Sequence, residues 1–123
     1  MPNSTSPAGQ LGRRLLQRAT KTMGVAGQFQ AQLLWQRGIR GKGIRVGVFD
    51  TGFKKDHPHF RQRIKERSNW THEPTLDDRL GHGSFVAGVV ASSDVACPGL
   101  APEVDLYAFR VFTNDQVRAT CLV

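Results

Sequence analysis

Two short segments of the chain carry residue types that can hold and move a proton. Asp50-Thr51-Gly52 sets a carboxylate beside a glycine, and Gly81-His82-Gly83-Ser84 sets an imidazole between two glycines. A carboxylate that accepts a hydrogen bond from one ring nitrogen of a histidine fixes its tautomer and leaves the other nitrogen as a general base. The flanking glycines let the two segments approach closely. Taken singly, each has a bland reading. An aspartate at a strand end is commonly a turn or cap residue, and a histidine among glycines is commonly a loop residue. Only the pair, brought together, makes a catalytic unit.

The elements that must bring them together are legible around them. Ile44, Val46, Val48 and Phe49 form a short apolar run rich in β-branched residues, a buried strand that ends on Asp50. In open α/β sheets the carboxyl ends of strands are where chemistry gathers. After Gly83, the residues Phe85, Val86, Val89 and Val90 recur at helical spacing, so a helix follows with His82 in its first turn and these four as its packed face. Ala87 and Gly88 allow close packing. A further strand is expected at 64–70 and another at 104–112, beyond Pro98 and Pro102. A helix is expected over 28–36, stopped by Arg37 and Gly38. Residues 1–12 are rich in Pro, Ser, Thr and Gly and read as flexible. No internal repeat is visible.

Composition narrows the function. The 123 residues fit at most one domain, and the net charge is +7. That charge is unevenly placed: Arg13, Arg14, Arg18, Lys21, Arg37, Arg40, Lys42 and Arg45 all precede Asp50, the first acid of the chain. From Asp50 onward bases and acids nearly balance. Nucleic-acid binding therefore loses its chief support, and no nucleic-acid partner is expected. Two cysteines, Cys97 and Cys121, make no disulfide framework, and whether they pair is left open. No stretch approaches the ~18 apolar residues of a membrane span, and MPNSTSPAGQ has no signal-peptide pattern.

The combined text resembles the subtilisin-like serine proteases. Their aspartate motif, an apolar strand before Asp-Ser/Thr-Gly, matches Val46-Gly47-Val48-Phe49-Asp50-Thr51-Gly52. Their histidine motif, His-Gly-Ser/Thr-x-Val-Ala-Gly, matches His82-Gly83-Ser84-Phe85-Val86-Ala87-Gly88. His57-Pro58-His59-Phe60 is similar to a further family element, and Asp78-Arg79-Leu80-Gly81-His82 to the acid that precedes the family's Gly-His-Gly. The resemblance runs from about Leu33 to Val117 and is strongest to the proprotein convertases of the secretory pathway. It implies a partial three-layer α/β/α domain with a mostly parallel sheet. Residues 1–27 would be a basic leader at a propeptide junction, 28–117 the amino-terminal part of a catalytic domain, and 118–123 a divergent tail.

By that resemblance Asp50 is the orienting carboxylate and His82 the general base, supported by Thr51, Gly52, Gly81, Gly83 and Ser84. The implied activity is endoproteolysis of precursor proteins after Arg-x-hydrophobic-Leu or Lys sites, in the Golgi or ER lumen. Arg13-Arg14-Leu15-Leu16 is similar to such a site, which makes the enzyme's own propeptide a candidate partner; a basic patch on a solvated leader is the alternative. Asn69-Trp70-Thr71 is a glycosylation sequon that matters only in a lumen. Calcium is implied by the family, although no acidic cluster here is assignable to it and no metal ligand is named. The family's serine stands in Gly-Thr-Ser-x-Ala/Ser-x-Pro. None of Ser4, Ser6, Ser68, Ser84, Ser92 and Ser93 does, and Asn114 lacks the context of the oxyanion asparagine. The chain alone is therefore expected to be inactive, and its truncated sheet prone to aggregation. Two rival functions are a non-catalytic pseudoprotease that binds a partner, and a retropepsin-like aspartic protease built on Asp50-Thr51-Gly52, which demands antiparallel strands.

Overall fold

The computed structural model describes residues 7, 9–14 and 24–115. Three parallel strands form one sheet: β1 (Arg45–Asp50), β2 (Ile64–Asn69) and β3 (Asp105–Arg110), in the order β1-β3-β2. The last strand in sequence thus lies in the middle, between its two predecessors. Parallel neighbours cannot be joined by a tight hairpin, so the chain crosses over the sheet between strands. The second crossover carries the longest helix among the described residues, His82–Ala91. The register sets Asp50 opposite Arg110 on one side and Asn69 opposite Arg110 on the other. All three strands end together, and the loops that follow Asp50 and Asn69 start at the same end of the sheet, on either side of Arg110. This parallel pairing disposes of the aspartic-protease reading.

Before the sheet, α1 (Gly24–Gln28) and α2 (Gln32–Trp35) stand where one helix over 28–36 is expected. The break is a left-handed Gln30, φ 55°. The Ala31 amide bonds the Ala26 carbonyl at 2.9 Å and the Gln30 amide the Gly27 carbonyl at 3.2 Å, the pairing that closes a helix through a residue of positive φ. The same closure recurs at Gly38 (φ 77°), with Ile39 bonded to Leu34 and Gly38 to Trp35, so the expected stop there holds. The leader is also less irregular than its composition suggests: residues 9–14 are helical, and Ala26 is fully buried. Burial of Ala26 outweighs a Gly-rich local preference there. The tail 118–123 lies outside the described residues, as does Cys121. Cys97 is exposed with a free thiol.

α3 (His82–Ala91) starts at the histidine, as expected, but its packed face is not the one its bulky residues suggest. Gly83, Ser84, Ala87 and Ala91 are buried, Val86 and Val90 flank the core, and Phe85 is 70% exposed. Small side chains face inward because the helix lies very close to the loop after β1, its Gly83 against Gly52. The core beneath it joins Val48, Leu106 and Ala108 of the sheet to Phe53, Phe60, Ala87, Ala91 and Val104. Phe53 and Phe60 meet edge to face at 5.9 Å. The opposite face of the sheet carries Gly47, Phe49 and Phe109, whose two rings stack at 4.5 Å while Phe49 is 64% exposed. Among the described residues α3 is the helix seen to pack on the sheet, against β1.

Candidate active site

Asp50 ends β1 and His82 begins α3, and the fold sets them in contact. His82 Nδ1 lies 2.8 Å from Asp50 Oδ1 and 2.9 Å from Oδ2. An ionised carboxylate can only accept, so Nδ1 carries the proton and donates it. Neutral His82 then holds its lone pair on Nε2, at the far edge of the ring. The aspartate side chain is 14% exposed and the histidine side chain 61% exposed. The orienting group is sheltered from water while the base faces outward, where a substrate hydroxyl or water can reach it. The Thr51 amide donates to Asp50 Oδ1 at 2.7 Å and fixes the carboxylate from behind.

Two glycines make this approach possible. A Cβ on Gly83 would fall 2.1 Å from the Gly52 carbonyl oxygen, so only hydrogen fits there. Gly52 has φ 97°, and a Cβ on it would crowd the Leu76 carbonyl at 3.1 Å and the Arg110 side chain at 3.3 Å. The Thr51 hydroxyl, buried between the segments, accepts from the Gly83 amide at 2.9 Å. Gly81 is the residue before the helix, left-handed at φ 96°. Ser84 is a linker rather than a nucleophile: its Oγ accepts from the Lys54 amide at 2.9 Å, and its amide donates to Asp78. The other described serines are also committed, Ser68 and Ser93 to carbonyls and Ser92 to the Asp94 amide. None bonds to His82.

Two buried charged groups outside the Asp-Thr-Gly and Gly-His-Gly segments frame the pair. Asp78 is 1% exposed and lies between the two motifs. Burial pushes its carboxyl up, but hydrogen bonds from the Ser84 hydroxyl, the Gly81 and Ser84 amides and the Thr51 hydroxyl outweigh that and hold it below the ordinary carboxylate range. Arg110, fully buried at the end of β3, donates to Thr71, Asn69 and Asn114 and pairs with Glu73. That bond holds the Glu73 carboxyl below its ordinary range. Asn114 is thereby held in a strand-end cluster. A charged residue in an alternating apolar strand is the signal that could have pointed to Arg110. The sequon Asn69 belongs to the same cluster, its amide donating to the Glu73 carbonyl at 2.5 Å and its Oδ1 accepting from Thr71.

Arg13 and Arg14 are exposed in the helical segment 9–14, whereas Leu15 and Leu16 lie outside the described residues. No group of three or more His, Cys, Asp or Glu among the described residues could hold a metal ion. No helix among them is long and apolar enough to cross a membrane.

An aspartate on a strand end, locked to a histidine at a helix start, is the geometry the sequence motifs call for, and comparison with known proteins agrees. A profile of the subtilase family matches residues 41–122. The chain belongs to the subtilase family. It is 56% identical over 108 residues to the human membrane-bound transcription factor site-1 protease, covering 88% of this chain and 10% of that one. It is 47% identical over 120 residues to the subtilisin-like protease SBT6.1 of Arabidopsis thaliana, covering 98% of this chain and 11% of the relative. Among solved structures, sphericase superposes with a TM-score of 0.55 at 31% identity, over 63% of this chain and 28% of that one. The chain thus spans about a tenth of the length of these curated relatives.

Proposed function

We propose that this chain carries the acid and base of a subtilisin-type serine endopeptidase. The observation that carries the reading is the bond from His82 Nδ1 to both oxygens of Asp50, at 2.8 and 2.9 Å. Such a pair works with a serine hydroxyl. His82 Nε2 takes the hydroxyl proton as the oxygen attacks a peptide carbonyl, then returns it to the departing amine, while Asp50 stabilises the imidazolium between the two steps. No described serine is placed for that role and no serine of the sequence stands in the family's Gly-Thr-Ser context, so the 123-residue chain by itself is expected to hydrolyse no peptide. Site-1 protease is named for membrane-bound transcription factors. Extended to this subtilase, that likeness supports precursor proteins as substrates, cleavage after Arg-x-hydrophobic-Leu or Lys, the enzyme's own propeptide as a partner, and a Golgi or ER luminal setting.

The test is a chimera in which residues 41–115 replace the matching segment of human site-1 protease. Cleavage of a precursor substrate is expected, with Asp50→Asn reducing kcat by about 10⁴-fold through the wrong tautomer. A folded chimera whose His82→Ala variant still cleaves would refute the assignment. The isolated chain, treated with a fluorophosphonate serine probe, is expected to take up no label; labelling would show a working nucleophile within it.

A further inference from the structure

The mechanism above uses Asp50 and His82 but leaves unexplained what keeps them in register, since they sit on separate elements 32 positions apart. α3 opens on Gly81, which offers no side chain to accept the amides of the first turn. The acceptor comes from three residues earlier. Asp78 Oδ1 accepts from the Gly81 amide at 2.8 Å, and Oδ2 accepts from the Ser84 amide at 2.8 Å. The same Oδ1 accepts from the Thr51 hydroxyl at 2.8 Å, and Thr51 directly follows Asp50. Three donors thus converge on the two oxygens of one carboxylate. One side chain, almost wholly buried, thereby ties the residue after the acid to the residues on both sides of the base. Thr51 completes the tie by accepting from Gly83.

We propose that Asp78 is a positioning residue of the catalytic pair, a buried carboxylate strap that sets the His82 imidazole against Asp50 and so selects its tautomer. This deepens the reading of Asp50 and His82 given above and depends on it. Asp78 touches no reacting atom. Its effect passes through the first turn of α3: releasing the Gly81 and Ser84 amides frees that turn to rotate, and a small rotation lifts Nδ1 off the carboxylate. Asparagine has the same shape but cannot substitute, because its amide group would point a donor at a cluster made of donors.

The chain labelled with 15N-histidine reports the tautomer directly at about pH 8.5, where imidazoles are neutral. The unsubstituted chain is expected to show His82 as the Nδ1–H form. Asp78→Asn is expected to lose that form while circular dichroism keeps the strand and helix signal. Thr51→Val, which removes one donor and leaves the carboxylate, is expected to shift the tautomer in the same direction. Thr51→Ser, which keeps the hydroxyl, is expected to behave as unsubstituted. A folded Asp78→Asn chain that retains the Nδ1–H form overturns the proposal; if that variant does not fold, a Thr51→Val chain that retains it does the same. Asp50→Asn separates the two ideas. Retention of the Nδ1–H form in that variant, or its absence from the unsubstituted chain, refutes the Asp50–His82 pair itself and the strap with it.

Discussion

The residues of the site divide by what they can accept and donate. Asp50 and His82 exchange one hydrogen bond whose direction is set by the carboxylate having no proton to give. Asp78 and Glu73 serve the scaffold, and both hold their charge to lower pH than a free carboxyl does. A group that binds its proton less well folded than unfolded adds stability above the ordinary carboxylate range of about 4. That stability is lost as pH falls through the lowered folded value. Acid unfolding is therefore expected to be shallower in Asp78→Asn than in the unsubstituted chain. Denaturant midpoints measured against pH would show it, and parallel curves would mean that Asp78 titrates alike in both states. The residue types of the pair were plain in the sequence. Asp78 was visible only as an acid before Gly-His-Gly, because its partners come from both sides of a 32-residue separation.

At the scale of elements, α3 is a helix whose sequence periodicity and packing disagree. Phe85, Val86, Val89 and Val90 form an apolar stripe, yet the buried side is Gly83, Ser84, Ala87 and Ala91. The close approach to Gly52 decides this, since nothing larger than hydrogen fits at Gly83. Gly83→Ala is expected to push the helix start away from the aspartate loop and cost about 1–3 kcal/mol, the usual range for overpacking. Chemical denaturation would measure it, and an unchanged midpoint would mean the contact has slack. The three strands were legible to within two residues at either end, β1 from its β-branched run bounded by turns and β3 from the alternation that buries Leu106 and Ala108. The 28–36 helix was not, since the left-handed turn at Gln30 follows from the tertiary burial of Ala26 and Ala31 rather than from local preference.

Across the whole molecule, the two faces of the sheet are unequal. One is covered by α3 and the crossover loops; the other presents the stacked Phe49 and Phe109 beside Gly47. Apolar surface of that kind drives association, and among the described residues the two outer strands β1 and β2 add unpaired edges. The isolated chain is expected to self-associate with rising concentration, and Phe49→Lys to reduce this. A monodisperse unsubstituted chain on size-exclusion would refute it. The sequence alone specified an α/β chain, the order of its motifs, and the aspartate and histidine that could act together, because local periodicity and glycine placement are written residue by residue. It did not specify that β3 lies between β1 and β2, that Arg110 is buried among their ends, or that Asp78 spans both motifs. Those follow from strand register and from the contact of α3 with the loop after β1, where residues far apart in the chain compete for the same space and the same hydrogen bonds.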